Sequence, residues 1–348
     1  MTMQLYVFDQ TRNLAGIVES FEYLRWTRRY SACGSFELKA IATPENLALL
    51  QIGSYLWKSD DEEAGIIEHV ELSQADKEII TVSGRFATSL LARRIVWGTE
   101  ILNGNMSTCV QTLLDHHILA PVDGNRKIDF VSFTAPPLSA SVNTQISCRN
   151  LMDAVTVLCD TANVGIKTMF SPVDRNFTIT LYEGAVTQAV FSREYENLTE
   201  QTYIQSNMDY AETALIGGEG EGVDRTFVSI VGDSGEQRRE VFVDAKDLRQ
   251  EDFGSGYADA LIFRGQSRLS ELAMVQSFDA AVNPHGNLKY KEDFDLGQVV
   301  QVLSRKWGVA LAARITEIEE SYDRDGQSLN IVFGKGILSL LQKLKGGF

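Results

Sequence analysis

Apolar and polar residues alternate at period two over Ser35-Phe36-Glu37-Leu38-Lys39-Ala40, and again over Phe177-Thr178-Ile179-Thr180-Leu181. That is the pattern of half-buried β-strands. Between such stretches lie Ser59-Asp60-Asp61-Glu62-Glu63, Asp123-Gly124-Asn125 and Asp323-Arg324-Asp325-Gly326. These clusters predict solvated hairpin turns, because Asp, Asn and Gly tolerate left-handed backbone. Period 3.6 governs three other stretches. Val110, Leu113, Leu114 and Ile118 share one helical face, with Asn105 or Ser107 as candidate cap. Leu151, Val155, Leu158 and Ala162 share another, opening at Asn150 and closing near Gly165, a residue suited to the left-handed position after a helix. A third helix is predicted from about Tyr257 to Ala273. The fold class is therefore β-rich α+β, with strands at both ends and mixed pieces inserted.

The two ends follow one order. Gly53 leads a strand and an acidic turn, Gly65 precedes Ile67-Glu68-His69-Val70-Glu71-Leu72-Ser73, and the chain reaches Ile79 to Gly84. Gly297 leads a strand and a turn, Gly308 precedes Ile315-Thr316-Glu317-Ile318-Glu319-Glu320-Ser321, and the chain reaches Leu329 to Gly334. A true repeat predicts two similar small β-barrels; two unrelated hairpins obeying the same alternation give the same string. On the repeat reading, 1–98 form the first barrel, with 185–205 as candidate strands to complete it. Residues 99–190 form an α+β insertion domain, and 200–335 the second barrel with a helical insertion near 252–275. Residues 336–348 form a short amphipathic helix, with Ile337, Leu340, Leu341 and Leu344 along one face. At this length the helix must dock, either as a cap on its own barrel or on a neighbouring chain.

Composition narrows the function. The 348 residues are 44% hydrophobic and 23% charged, a folded globular mix. The balance of 47 acidic against 32 basic residues, net −15, argues against gripping nucleic acid, since phosphate binding rests on Lys and Arg. No apolar run approaches the roughly 18 residues of a membrane helix, and no cationic region precedes the first apolar residues, so neither a membrane segment nor a cleaved signal is expected. The four cysteines, Cys33, Cys109, Cys148 and Cys159, have no metal-finger spacing and read as thiols in a reducing compartment.

No motif carries convincing chemistry. The run Gly217 to Gly222 lacks a Gly-Lys-Ser/Thr and places two glutamates where phosphates would sit, so it reads as a flexible loop. His116 and His117 are adjacent and on a helix point about 100° apart; His69 and His285 stand alone. Asp323-Arg324-Asp325-Gly326 lacks the later ligands of a calcium loop. No serine occupies a Gly-x-Ser-x-Gly elbow. The expectation is no catalytic, metal or cofactor-binding residue, and no cofactor. Two basic pairs stand beside aromatics: Arg28-Arg29 with Trp26 and Tyr30, and Arg93-Arg94 with Trp97. They read either as cation–aromatic or salt-bridge contacts on the surface or as a subunit interface.

Trp26-Thr27-Arg28-Arg29-Tyr30-Ser31-Ala32-Cys33-Gly34-Ser35-Phe36-Glu37-Leu38 resembles the opening of siphophage tail-hub proteins, which include the hub module of tail-associated lysins and are similar in fold to baseplate hubs. Gly84-Arg85-Phe86, Ser89 to Arg94, Gly217 to Gly222 with Arg225, Arg238-Arg239-Glu240-Val241 and Asp293 to Gly297 follow in the same order. Gln298 stands where the family often has an acid. The resemblance implies a structural hub of a phage or prophage tail tip or baseplate, found in the virion and made in the host bacterial cytoplasm. Three copies would form a ring of six barrels around a channel that passes DNA without specific binding. The implied partners are a distal-tail or tail-tube ring, the tape-measure protein, and receptor-binding or tip proteins. The competing readings are a cell-surface hydrolase or carbohydrate-binding tail protein, and the equivalent hub of a phage-derived injection particle.

Overall fold

In the computed structural model the described residues are 3–283 and 285–335, and the predicted helix over 336–348, with Ile337, Leu340, Leu341 and Leu344, lies outside them. The chain forms two units. The first takes the chain up to Glu183 plus Glu319–Ser328; the second takes Gly184–Ile318 plus the chain from Leu329 onward.

The first unit opens with β1 (Leu5–Phe8), β2 (Leu14–Val18), β3 (Tyr23–Arg29), β4 (Ser35–Ile41), α1 (Pro44–Leu49), β5 (Tyr55–Lys58), β6 (Ala64–Ile66), β7 (His69–Gln74) and β8 (Glu78–Arg85). These strands form two sheets, β2-β1-β5-β6 and β3-β4-β8-β7. One apolar core lies between them, including Leu5, Val7, Leu24, Trp26, Phe36, Leu38, Leu56, Ile80, Val82 and Phe86. The expected closed barrel is thus an open sandwich. The sheets meet at the bridge from Gly65 to Phe86, and the chain passes from one to the other at Ile67 and Glu68, where Ile67 N donates to Ser54 O and Glu68 N to Ser83 O. The Trp26 ring sits 4.5 Å from Phe86 and 5.9 Å from Phe36.

The rest of this unit is β9 (Thr99–Asn105), α2 (Met106–Leu114), β10 (Val131–Thr134), β11 (Ser141–Ser147), α3 (Leu151–Ala162), β12 (Gly165–Ser171) and β13 (Asn176–Tyr182). β9 and β11 make an antiparallel ribbon, and β10-β13-β12 a three-stranded sheet. The segment expected as a separate domain, 99–190, lies in the first unit as far as Glu183. Asn105 caps α2 by accepting from Ser107 N, and Asn150 caps α3 by accepting from Met152 N and Asp153 N. At the far end of α3 the expectation fails. Asn163, not Gly165, takes the left-handed conformation (φ 54°, ψ 44°). Gly165 opens β12, where a Cβ would stand 2.5 Å from the Tyr30 ring and 2.6 Å from that of Tyr182, so its lack of a side chain serves packing rather than a turn.

The second unit comprises β14 (Val186–Phe191), β15 (Leu198–Ser206), β16 (Thr213–Gly217), β17 (Phe227–Ile230), β18 (Glu240–Asp244), α4 (Gln250–Phe253), α5 (Tyr257–Glu271), β19 (Val275–Val282) and β20 (Val299–Ser304). Two long strands follow, β21 (Val309–Asp323) and β22 (Gly326–Lys335), whose connecting tip belongs to the first unit. The main sheet runs β15-β19-β22-β21, with β20 pairing β21 and β14 pairing β20. Residues 185–205, candidates to complete the first barrel, therefore pair within the second unit. An inserted sheet, β17-β16-β18, packs on α5 through Ala214, Ile216, Leu248, Tyr257 and Leu261.

The repeat seen in the sequence is a repeat of hydrogen bonds. Gly53 N donates to Ile67 O and Ile67 N to Ser54 O; Gly297 N donates to Ile315 O and Ile315 N to Gln298 O, all at 2.8 Å. Gly53 and Gly297 have φ of 86° and 85°, a conformation that disfavours any side chain. The paired Gly65 and Gly308 of the sequence pattern are not equivalent. Gly65 faces Leu56 across β5–β6, where the second unit places Ala313 opposite Val300. Gly308 instead sits in a turn at φ 66°.

Candidate functional site

The residues singled out as an interface divide by burial. Trp26, Arg28 and Tyr30 are buried in the first unit at 0%, 6% and 2% exposure, which removes them from its surface. Arg29 is half-buried and donates to the Cys33 carbonyl and the Ser35 hydroxyl. Arg93 is exposed, Arg94 half-buried, and Trp97 is 71% exposed. Strand alternation explains the first result: Leu24, Trp26 and Arg28 share a face of β3, so the guanidinium follows two apolar residues into the core.

Arg28 enters a buried charge network. Its Nε lies 3.8 Å from a carboxylate oxygen of both Asp61 and Glu63. Asp61 also accepts from the Trp26 indole at 3.0 Å and from Glu63 N at 3.0 Å. The acidic turn predicted to be solvated is therefore solvated at Asp60 and Glu62 and buried at Asp61 and Glu63. Burial pushes the Glu63 carboxyl up to about 8, against the pull of Arg28 and helped by the Asp61 charge. Nearby, the fully buried Lys58 ammonium contacts Glu320 at 2.8 Å and the exposed Asp60 at 2.9 Å. Burial opposes its charge, but the Glu320, Asp61 and Asp60 carboxylates hold its pKa above the ordinary value. Sequence reasoning missed Lys58, Asp61, Glu63 and Glu320. Lys58 could have been found, since it continues the inward face of Leu56 on β5. Every group here already has an opposite charge or a donor, so the network organises the core rather than receiving a substrate.

The second cluster is partly open to solvent. α2 continues into a π-helical turn, Asp115–Leu119, and both adjacent histidines reach one carboxylate. His116 Nδ1 lies 2.9 Å and His117 Nε2 3.1 Å from Glu100 Oε1. Burial lowers the His117 pKa, opposed by Glu100 and reinforced by Arg126 and His116. Among the described residues no set of three or more His, Cys, Asp or Glu is arranged to hold a metal ion. Arg126 links this cluster to the surface: it donates to the Ile95 carbonyl at 2.6 Å and lies 5.2 Å from the centre of the Trp97 ring.

The glycine run is ordered by hydrogen bonds instead of being a flexible loop. Arg225 donates to the carbonyls of Gly217 and Gly218, and the Tyr257 hydroxyl accepts from Glu219 N. A Cβ on Gly217 would stand 2.7 Å from the Arg225 guanidinium, and one on Gly218 2.3 Å from the Tyr257 oxygen. The loop is closed by its own arginine where a nucleotide site would need room. Asp323-Arg324-Asp325-Gly326 is the β21–β22 turn, with Asp323 Oδ1 accepting from Asp325 N at 2.8 Å. Burial raises Cys33 to about 12 and also raises Cys159 and Cys109, which disfavours the reactive thiolate at all three. No described helix is long and apolar enough to cross a membrane.

Three solved structures share the fold over nearly the whole chain. The 43 kDa tail protein of prophage MuSo2 from Shewanella oneidensis has a TM-score of 0.66 at 13% identity, covering 95% of this chain and 98% of its own. The tail protein from Neisseria meningitidis MC58 has 0.63 at 13%, covering 96% and 97%. Prophage tail protein gp18 from Listeria monocytogenes EGD-e has 0.61 at 12%, covering 98% of each chain. No curated protein matches the sequence. The β-rich α+β fold is thus a phage tail-protein fold, as the sequence resemblance implied. Residues 4–335 match the family of Siphovirus ReqiPepy6 Gp37-like proteins, and the chain belongs to that siphovirus tail family.

Proposed function

We propose that this tail protein is a structural hub of the tail tip or baseplate, acting as a homotrimer and without catalysis. The observation that carries the reading is the repeated Gly53–Ile67 and Gly297–Ile315 clamp. One chain builds the same glycine clamp twice, so three chains would present six copies of it, which suits a threefold ring that must meet a sixfold tube. On this reading the partners are a distal-tail or tail-tube ring, the tape-measure protein and receptor-binding or tip proteins. DNA passes through the ring, and the net charge of −15 favours passage over retention. The protein resides in the virion after synthesis in the host cytoplasm. Electron microscopy of isolated tails viewed down the axis tests the assembly. Three copies per tail are expected; one or six would overturn the hub reading.

A further inference from the structure

Trp97 is 71% and Ile95 43% exposed, and arginines lie near them. Arg126 lies over the Trp97 ring and donates to the Ile95 carbonyl. Arg94 Nε donates to the Arg126 carbonyl at 2.7 Å, and Arg94 also donates to that of Arg93, whose side chain is exposed. Val96 N donates to the carbonyl of exposed Arg149 at 2.8 Å, which brings that residue alongside. Arg94 and Arg126 use these bonds on backbone carbonyls, which fixes the guanidinium groups without neutralising them. An exposed indole with Arg126 at its ring, and Arg93, Arg94 and Arg149 close along the backbone, concentrates positive charge on a chain of net charge −15. Trp and Arg are also the residues that anchor protein interfaces.

The chemistry such a patch requires is an acidic partner with an apolar tip, and the chain carries one. Within Glu219–Asp224, Val223 is 100% exposed, and Glu221 and Asp224 beside it are exposed. The backbone of this loop is preset: Thr226 N donates to Glu219 O and Gly218 N to Thr226 O, both at 2.9 Å. A preset loop loses little freedom on docking.

We propose that the Trp97 patch of one copy receives the Val223 loop of a second copy of this chain, with Arg93, Arg126 and Arg149 facing Glu221 and Asp224. The contact is head-to-tail. Two Trp97 patches facing across a twofold axis would set arginine against arginine, whereas a patch-to-loop contact can repeat from copy to copy, as a ring requires. The inference rests on the trimeric reading above and supplies its interface.

Cysteine trapping in assembled tails tests it. Cys148 is exposed, and its N–H bonds to the Gly98 carbonyl beside the patch, so the background is Cys148→Ser. Trp97→Cys and Val223→Cys together, after mild oxidation, are expected to give covalent dimers and trimers on a non-reducing gel, and each single variant only monomer. Tails with three copies per ring but only monomer on the gel would overturn this contact and leave the hub intact. Tails with another copy number would overturn the hub reading itself. A second arm uses charge: Arg93→Glu with Arg126→Glu is expected to reduce incorporation into tails at least tenfold, and adding Glu221→Arg with Asp224→Arg to restore it. Unchanged incorporation of the first pair, or capture of a labelled single-stranded oligonucleotide that is lost in Trp97→Ala, would also overturn the contact.

Discussion

Glu63 makes the first unit sensitive to pH in one direction. Unfolded, the carboxyl gives up its proton near 4.5; folded, near 8. Between those values the folded state binds more protons, so stability falls as pH rises. The contribution is whole below about 4.5 and gone above about 8. From pH 5.5 to 8 the expected loss is about 3 kcal/mol. Glu63→Gln should flatten that slope, and urea midpoints of both proteins at pH 5.5 and 8 check it. Lys58 and Glu320, at 0% and 1% side-chain exposure, give a second test. Lys58→Met leaves the buried Glu320 carboxylate without its cation and should cost about 3–5 kcal/mol; Glu320→Gln should cost less, since Asp60 still lies 2.9 Å from the Lys58 ammonium. The double variant should recover most of the Lys58→Met loss, since both charges leave together. A loss in the double as large as in Lys58→Met would refute the pairing.

At the level of elements, the clamp glycines carry the repeat. Gly53→Ala and Gly297→Ala each force a side chain into left-handed backbone and should cost about 1–2 kcal/mol. Similar shifts in thermal midpoint are expected from both, because φ and bonding match. β4, β13 and all three longer helices were legible in the sequence, because each places its apolar residues at a single period. The repeat was legible in its ends, Gly53 with Ile67 and Gly297 with Ile315, but not in its middle. Gly65 is small to admit Phe36, whose ring lies 2.3 Å from a Cβ built there, while Gly308 is small to turn. Sequence spacing cannot separate those two causes. Likewise Arg28-Arg29 looks like one basic pair, although successive strand residues face opposite sides. The buried network was invisible for another reason: Glu320 joins Lys58 from 262 residues away, and no local pattern encodes a contact at that separation.

For the molecule as a whole, the structure offers buried thiols of raised pKa, a closed glycine loop and a charge network already paired. On the proposed structural role, none of these serves catalysis. Zymograms against cell walls of several hosts should therefore show no lysis; a band lost on mutating one acidic residue would show an activity.

Fifteen-residue β21 also imposes an order on synthesis. Its last residues, with the turn and the start of β22, complete a unit whose other parts end at Glu183. A ribosome has made more than 300 residues before Glu320 exists, so the Lys58 ammonium waits without that partner while the second unit is still being translated. The first unit is therefore complete only once the chain has been made as far as Ser328, and a fragment cut after Glu183 would keep the buried lysine and lose one of the carboxylates that make its burial tolerable.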